Sequence, residues 1–432
     1  MRRLLTTSFV LLAATIVGAC SLATRLDSLS GDGGTTPDAG VDSPTDAGVD
    51  AKVDSGADAD AGKPTWVDVS LGVDHGCAVR STGEVFCWGT NAYGQIGQPT
   101  TLTVSNVPLH VDGIKDAVRV SAGGRHTCVM NALGALTCWG DNQQGQLGVP
   151  LAKTGPKTPT PTPVEGVGGP VLNFSSGDSA TCLVRKDLTL MCFGLGTFPC
   201  AVGLPSNASG PQPTPRVLGT PFLDVVTSLS HTCALTSPYG QSRCFGPSFH
   251  GENGVAPQNP VTCTTVSANF GPSNQTAIGA GVVHTCSSGS GVMACWGFNS
   301  NNQLGPNSSQ SETPSPVGIT GWKGVPTSKI AIGTGTNCAI MANGTVECFG
   351  DNSNGALGRG TGFASSKTAI PDKVQGVANV VLVTHTGNAG CVVERPAVGD
   401  DVVKCWGRNI ESQLGTGVSG GSNPTPQPLT FP

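Results

Sequence analysis

Charge is scarce in this chain: only 12% of its 432 residues are Asp, Glu, Lys or Arg, and only 5% are aromatic. Surface helices need a charged or polar face, and no run of helical periodicity follows the first twenty residues. The 62 glycines and 32 prolines describe many short strands joined by turns, so an all-β class is expected. A basic surplus is lacking too. The formal net charge is −5; setting aside Arg2, Arg3 and the six net negative charges between Ser21 and Thr65 leaves −1 for residues 66–432. Such a body lacks the electrostatic footprint of a nucleic-acid binder, and no nucleic acid is expected among its partners. No serine, histidine and acid group stands out as a triad, and no paired carboxylates recur, so no catalytic residue, cofactor or metal is expected.

Cysteine, by contrast, is plentiful, with seventeen. The first lies behind Met1-Arg2-Arg3, an apolar run from Leu4 to Ala19, and the ending Val17-Gly18-Ala19-Cys20. A basic start, a short apolar core and small terminal residues describe an export signal over residues 1–19, too short for a spanning helix. Its last four residues resemble the bacterial lipoprotein signal. That resemblance implies lipidation of Cys20, and Ser21 after it favours the outer membrane; ordinary cleavage with Cys20 incidental is the alternative. The expected location is the cell envelope, outer membrane or cell surface. Sixteen cysteines remain, an even number suited to complete pairing in an oxidising compartment.

Residues 20–65 form the expected tether. From Ser21 onward they carry nine Asp, six of them at intervals of four from Asp38 to Asp58, and no aromatic residue. Such a segment cannot bury enough apolar surface to order itself. As a flexible coil it spans roughly 35 to 40 Å. Calcium ligation by these aspartates is disfavoured, because nothing converges them within one tight turn.

From residue 66 onward the chain repeats. An aromatic-glycine step recurs as Cys87-Trp88-Gly89, Cys138-Trp139-Gly140, Cys192-Phe193-Gly194, Cys244-Phe245-Gly246, Cys295-Trp296-Gly297, Cys348-Phe349-Gly350 and Cys405-Trp406-Gly407. Each step has an upstream partner: Cys77, Cys128, Cys182, Cys233, Cys286, Cys338 and Cys391. A period near fifty, seen seven times, indicates a solenoid or a propeller. The terminal repeats do not read as polar caps, and three to four short strands per period suit a blade, so a seven-bladed ring is expected. In the first, second and sixth repeats, pairing the two cysteines leaves the loops Ser81-Thr82-Gly83, Ala132-Leu133-Gly134 and Ala342-Asn343-Gly344. Glycine stands third each time, where a type I turn with a G1 bulge needs positive φ. Opposed cysteines on such arms lie within reach of a disulfide. Zinc favours ligand separations of two to four, against nine to fourteen here, so structural disulfides are expected. Cys200 and Cys263, in the connections after the third and fourth steps, are a plausible eighth pair.

The runs Trp88-Gly89-x-Asn91-x-x-Gly94-Gln95-Ile96-Gly97 and Trp139-Gly140-x-Asn142-x-x-Gly145-Gln146-Leu147-Gly148, with His126-Thr127-Cys128 before the second, resemble the regulator of chromosome condensation repeat family. Two later copies match with one glycine replaced, by Asn302 and by Ser412. The resemblance spans residues 66–432 and implies a seven-bladed β-propeller. It implies little about activity, because members include a nuclear nucleotide-exchange factor for a small GTPase and others fused to unrelated domains.

Within the repeats, His75, His126, His231 and His284 stand two residues before the upstream cysteine, where hydrogen bonding is favoured over a metal ring. Ala180 and Thr336 replace histidine, and His385 is displaced. The step aromatics are expected to pack between blades rather than form a carbohydrate platform, and the loop Asn and Gln to satisfy turn backbone. Recognition is expected where repetition fails: in FGLGTFPC and FGPSFHGENG of the third and fourth repeats, and in the last hairpin, Val392 to Lys404. The leading expectation is a membrane-tethered, monomeric, non-enzymatic scaffold for a protein or an extracellular polymer. A polysaccharide-active exported enzyme and a structural envelope protein are the alternatives.

Overall fold

Each period of about fifty residues folds into one four-stranded antiparallel sheet, its strands in sequence order. The computed structural model describes residues 63–238, 240–257, 264–267, 274–289, 291–360 and 367–432. The leader, Cys20, the tether as far as residue 62, and Cys263 lie outside the described residues.

Blade 1 comprises Trp66–Leu71, His75–Arg80, Val85–Thr90 and Val104–His110. Blade 2 runs from Ala117–Ala122 to Lys157–Pro163, blade 3 from Val171–Ser176 to Arg216–Gly219, and blade 4 from Phe222–Thr227 to Thr264–Ser267. Blade 5 runs from Ala277–Ala280 to Glu312–Gly318, blade 6 from Pro326–Ile332 to Lys367–Lys373, and blade 7 from Val380–His385 to Ser422–Pro428.

Position in the sheet explains the composition of each strand. The second and third strands are covered on both faces: Ala78, Val79, Val85 and Trp88 are all fully buried. Fourth strands are the outer edges and carry proline in every blade but 3 and 4, as in Lys157–Pro163 with Pro159, Pro161 and Pro163. Proline removes donors from an edge that could otherwise pair with another chain. The apolar core falls into seven clusters of buried residues, each joining two neighbouring blades.

Every hairpin between second and third strands carries a disulfide: Cys77–Cys87, Cys128–Cys138, Cys182–Cys192, Cys233–Cys244, Cys286–Cys295, Cys338–Cys348 and Cys391–Cys405. Each pair is directly opposed across the strands, with Cα atoms 4.0 to 4.1 Å apart. Gly83, Gly134 and Gly344 take positive φ as their turns require. The third hairpin also spans ten residues and puts Leu188 at that position, with φ 66°.

Among the described residues no strand is exchanged at the junction of blades 7 and 1, where side chains close the ring. Trp66 packs on Phe431 at 4.1 Å between ring centroids and edge-on against Phe86 at 5.8 Å. The last hairpin, where sequence suggested a recognition loop, grips the start of the fold. Asp401 Oδ2 accepts the Trp66 N–H at 3.0 Å, and Arg395 Nη2, itself paired with Asp401, donates to the Trp66 carbonyl at 3.0 Å. Among the described residues no helix is long and apolar enough to cross a membrane.

Candidate binding face

Two kinds of residue build the end of the ring that carries the glycine-rich loops between third and fourth strands. The first kind holds the loops in shape. Asn91 is fully buried; its Oδ1 accepts the Ile96 N–H at 3.2 Å, and its Nδ2 donates to the carbonyls of Gln98, Pro99 and Leu102. Asn142, Asn299, Asn352 and Asn409 each accept the corresponding N–H five residues on. Gln95, Gln146, Gln303 and Gln413 each accept the N–H two residues before them. Buried side-chain oxygens that accept turn N–H groups in this way hold each loop in one shape. Where Asn302 and Ser412 replace the loop glycine, both keep its positive φ, at 62° and 60°.

The second kind ties each loop to the next blade. Trp139 Nε1 donates to the Gln95 carbonyl at 2.9 Å, and Trp296, Trp406 and Trp88 repeat that bond to Glu252, Ala356 and, across the closure, Gln413. These rings are fully buried, so the step aromatics are packing elements. The histidines lie at the same joints. His75 Nε2 meets Thr127 Oγ1 at 2.9 Å, His126 meets Thr181 at 2.9 Å, His231 meets Thr285 at 2.6 Å, and His284 meets Asn337 Oδ1 at 2.8 Å. Displaced His385 still serves a joint, donating from Nε2 to the Ala356 carbonyl at 2.9 Å. Because Thr127 Oγ1 donates to the Gln95 carbonyl, it accepts from His75, which fixes the proton on Nε2. Burial pulls His75, His126 and His231 down to about 3 and His284 to about 4, and lowers His385 as well. The first four are neutral at physiological pH.

A polar run on first strands was not foreseen. Asp68, Arg119, Asn173 and Asp224 occupy one position in blades 1 to 4. Asp68 accepts the Val120 N–H at 2.9 Å, Arg119 Nη1 donates to Asn173 Oδ1, and Asn173 Nδ2 donates to Asp224 Oδ1. Burial pushes Asp68 up to about 6 despite the attraction of Arg119. Its sequence signal was there: charged residues on otherwise apolar strands at spacings of 51 and 105.

The loops of blades 3 and 4 depart from this plan. Gly196 stands where other blades have the buried Asn, and a short 3-10 turn, Pro199–Val202, fills the loop with buried Ala201 and Val202. Cys200 in that turn is disulfide-bonded, but the expected pairing with Cys263 lies outside the described residues. In blade 4, Glu252 takes the glutamine position, its carboxylate accepting the N–H groups of Phe249 and His250, while burial raises its pKa. Half-buried aromatics accompany these changes. Phe198 meets Phe249 at 5.0 Å, His250 meets Phe298 at 4.4 Å, and His250 Nδ1 lies 2.6 Å from Glu312 Oε2.

Comparison with known proteins agrees with this geometry. Two models of the regulator of chromosome condensation (RCC1) repeat match, one over residues 82–130 and 134–184, the other over 66–95 and 117–146. The Xenopus laevis regulator of chromosome condensation is 26% identical over 366 residues, covering 78% of this chain and 81% of that protein. This chain carries regulator of chromosome condensation repeats. Solved structures with the same fold include Prp20p of Saccharomyces cerevisiae, at TM-score 0.69 and 16% identity over 82% of this chain and 87% of that one. Human WBSCR16 matches at TM-score 0.69 and 18% identity over 81% and 94%. Human HERC4, a probable E3 ubiquitin-protein ligase, is 27% identical over 48% of this chain, which spans only 20% of that protein's length. Family members thus share the ring, while the loops of blades 3 and 4 are where this chain leaves the repeat.

Proposed function

We propose that this chain is a membrane-tethered, monomeric, non-enzymatic propeller that binds a partner protein through loops on one end of the ring. One observation carries the reading: the loops of blades 3 and 4 give up the Asn bolt of their neighbours and put half-buried aromatic side chains on a scaffold stapled in every blade. Family context supports it, since the yeast relative Prp20p has binding properties toward Gsp1p and histones, and Kap60 binds yeast RCC1. The buried histidines and tryptophans are engaged at blade joints, which assigns them to architecture.

The lipoprotein-like signal ending at Cys20 supports attachment to the cell envelope, with residues 20–65 as the spacer. Cross-linking followed by affinity recovery from envelope and culture fractions tests the binding reading. A reproducible partner at near one-to-one stoichiometry is expected; recovery of none favours a purely structural envelope protein. Mass spectrometry of the mature N-terminus should find an acyl-modified Cys20, and Cys20→Ala should release the protein from membranes. A protein whose mature N-terminus lies elsewhere contradicts the anchor.

A further inference from the structure

The entry point of the chain distinguishes the two ends of the ring. Trp66 pairs with Arg80 at the hairpin end of blade 1 and is gripped there by Arg395 and Asp401, while Lys63 lies 3.3 Å from Asp400. The chain therefore arrives at the hairpin-tip end. The glycine-rich loops leave from the other end of every blade, so a protein held through its N-terminus presents the loop end outward.

On that loop end the blades are not equivalent. Where blade 4 has His250, the other regular loops have Tyr93, Gln144, Asn301, Asn354 and Glu411; where blade 5 has Phe298, they have Thr90, Asp141, Asp351 and Arg408. Among the described residues of this end, only blades 3 to 5 bring aromatic rings together, as two pairs, Phe198 with Phe249 and His250 with Phe298, linked by the Phe249–His250 peptide. Two carboxylates border this strip. Asp178 accepts from Thr197, the neighbour of Phe198, and Glu312 faces His250. Among the described residues neither has a lysine or arginine ion partner, whereas on the opposite side of the same end Asp74 is paired with Arg408 at 2.8 Å.

We propose that this strip is the docking surface for the partner, and that it takes a protein segment carrying apolar side chains together with lysine or arginine. The inference rests on the binding reading above and adds to it a face, a place and a chemistry. Aromatic pairs already held by their neighbours lose little conformational freedom on binding, which is what makes such groups interface anchors. Carboxylates without lysine or arginine partners select a basic segment and repel an acidic one.

The test uses the full propeller with disulfides intact and two synthetic peptides that share one apolar core, flanked by lysines in one and by glutamates in the other. Titration followed by anisotropy should show the lysine peptide binding at least about tenfold more tightly. Phe249→Ala and Phe298→Ala should each weaken it about tenfold, and Glu312→Gln by about threefold. Leu133→Ala and Val398→Ala, at exposed hairpin tips on the entry end, should leave it unchanged. Melting curves of the phenylalanine variants exclude misfolding as the cause. Equal binding of both peptides, or sensitivity at Leu133 and Val398 instead, overturns the proposal; so does binding of an extracellular polysaccharide at the strip when neither peptide binds. A partner recovered from the envelope that binds the Phe249→Ala, Phe298→Ala double variant undiminished defeats the strip alone, while recovery of no partner defeats the binding reading itself.

Discussion

Blades 1 and 2 and blades 3 and 4 solve one packing problem with different side chains. In blades 1 and 2, a buried Asn and Gln lock each loop, and a Trp and a His fasten the joint to the next blade. In blades 3 and 4, Phe replaces Trp, Ala180 replaces one His, and the loops are filled by Val202 and Leu204 or held by the Glu252 carboxylate. The strands and disulfides are common to both pairs. Loop locking is thus a property of particular polar residues and can be relinquished locally, which is where the aromatic strip arises.

Acid should expose the histidine joints first and most strongly. Each joint histidine has its folded pKa depressed below the unfolded value near 6.5, so its contribution is full above pH 6.5 and is lost as pH falls toward 3 to 4. Asp68 works in the opposite direction: its folded pKa is raised to about 6, so its protonation favours the fold between pH 6 and 3.8. Glu252 and Asp141, also raised by burial, share that sign. The histidines outnumber the acids, and net stability should fall by on the order of 1 kcal/mol or more per pH unit between roughly pH 6 and 4.5. Calorimetry across that range checks it; a melting temperature independent of pH would sink the histidine account. The joint between blades 3 and 4, with Ala180 in place of histidine, should be the least affected in hydrogen exchange.

Truncating an aromatic should separate scaffold from strip. Trp139 is fully buried and donates to the neighbouring loop, so Trp139→Ala should cost about 3 to 5 kcal/mol. Half-buried Phe298 should cost about 1 kcal/mol on the same substitution, measured by denaturant titration. Similar costs at both sites would mean that Phe298 is part of the core. Asn142→Ala should cost about 2 to 3 kcal/mol, because it strands the Leu147 N–H and the Val149 carbonyl inside the loop. Its counterpart in blade 3 is Gly196, where no such bolt exists to remove, so Gly196→Ala tests only backbone strain.

The repeating parts were legible because periodicity amplifies them. Seven cysteine pairs, seven aromatic-glycine steps and the glycine in three hairpins gave the ring, the staples and the turns directly. His385 was harder to read, since it sits on the first strand of blade 7 while its relatives sit on second strands, yet its ring reaches an equivalent joint. The last hairpin has a structural role that the sequence did not show. Its added length suggested recognition, but Arg395 and Asp401 reach residues more than 300 positions earlier, and a contact of that separation leaves no trace in local sequence. The Asp68 to Asp224 run escaped notice because each residue looks like an isolated charge until the ring brings first strands side by side.

The smallest expected effect lies at a hairpin tip and compares the two kinds of blade residue for residue. Gly134 in blade 2 and Leu188 in blade 3 both stand third in a three-residue loop, at φ 82° and 66°. Their carbonyls do the same work, accepting the N–H of Val171 and of Phe222 on the following blade, each at 2.9 Å. At Gly134 a side chain has no room, since a Cβ would come within 2.7 Å of the Val171 backbone, so Gly134→Leu should cost about 2 kcal/mol or more. Leu188 bears the left-handed conformation with a side chain attached, at a cost of roughly 1 to 2 kcal/mol that glycine avoids, offset by the roughly 0.5 to 1 kcal/mol of extra freedom glycine loses on folding. Leu188→Gly should therefore raise stability by about 0.5 kcal/mol in denaturant titration. A loss of more than about 1 kcal/mol would show that its half-buried side chain outweighs the backbone, and that blade 3 has rebuilt its hairpin as well as its loop.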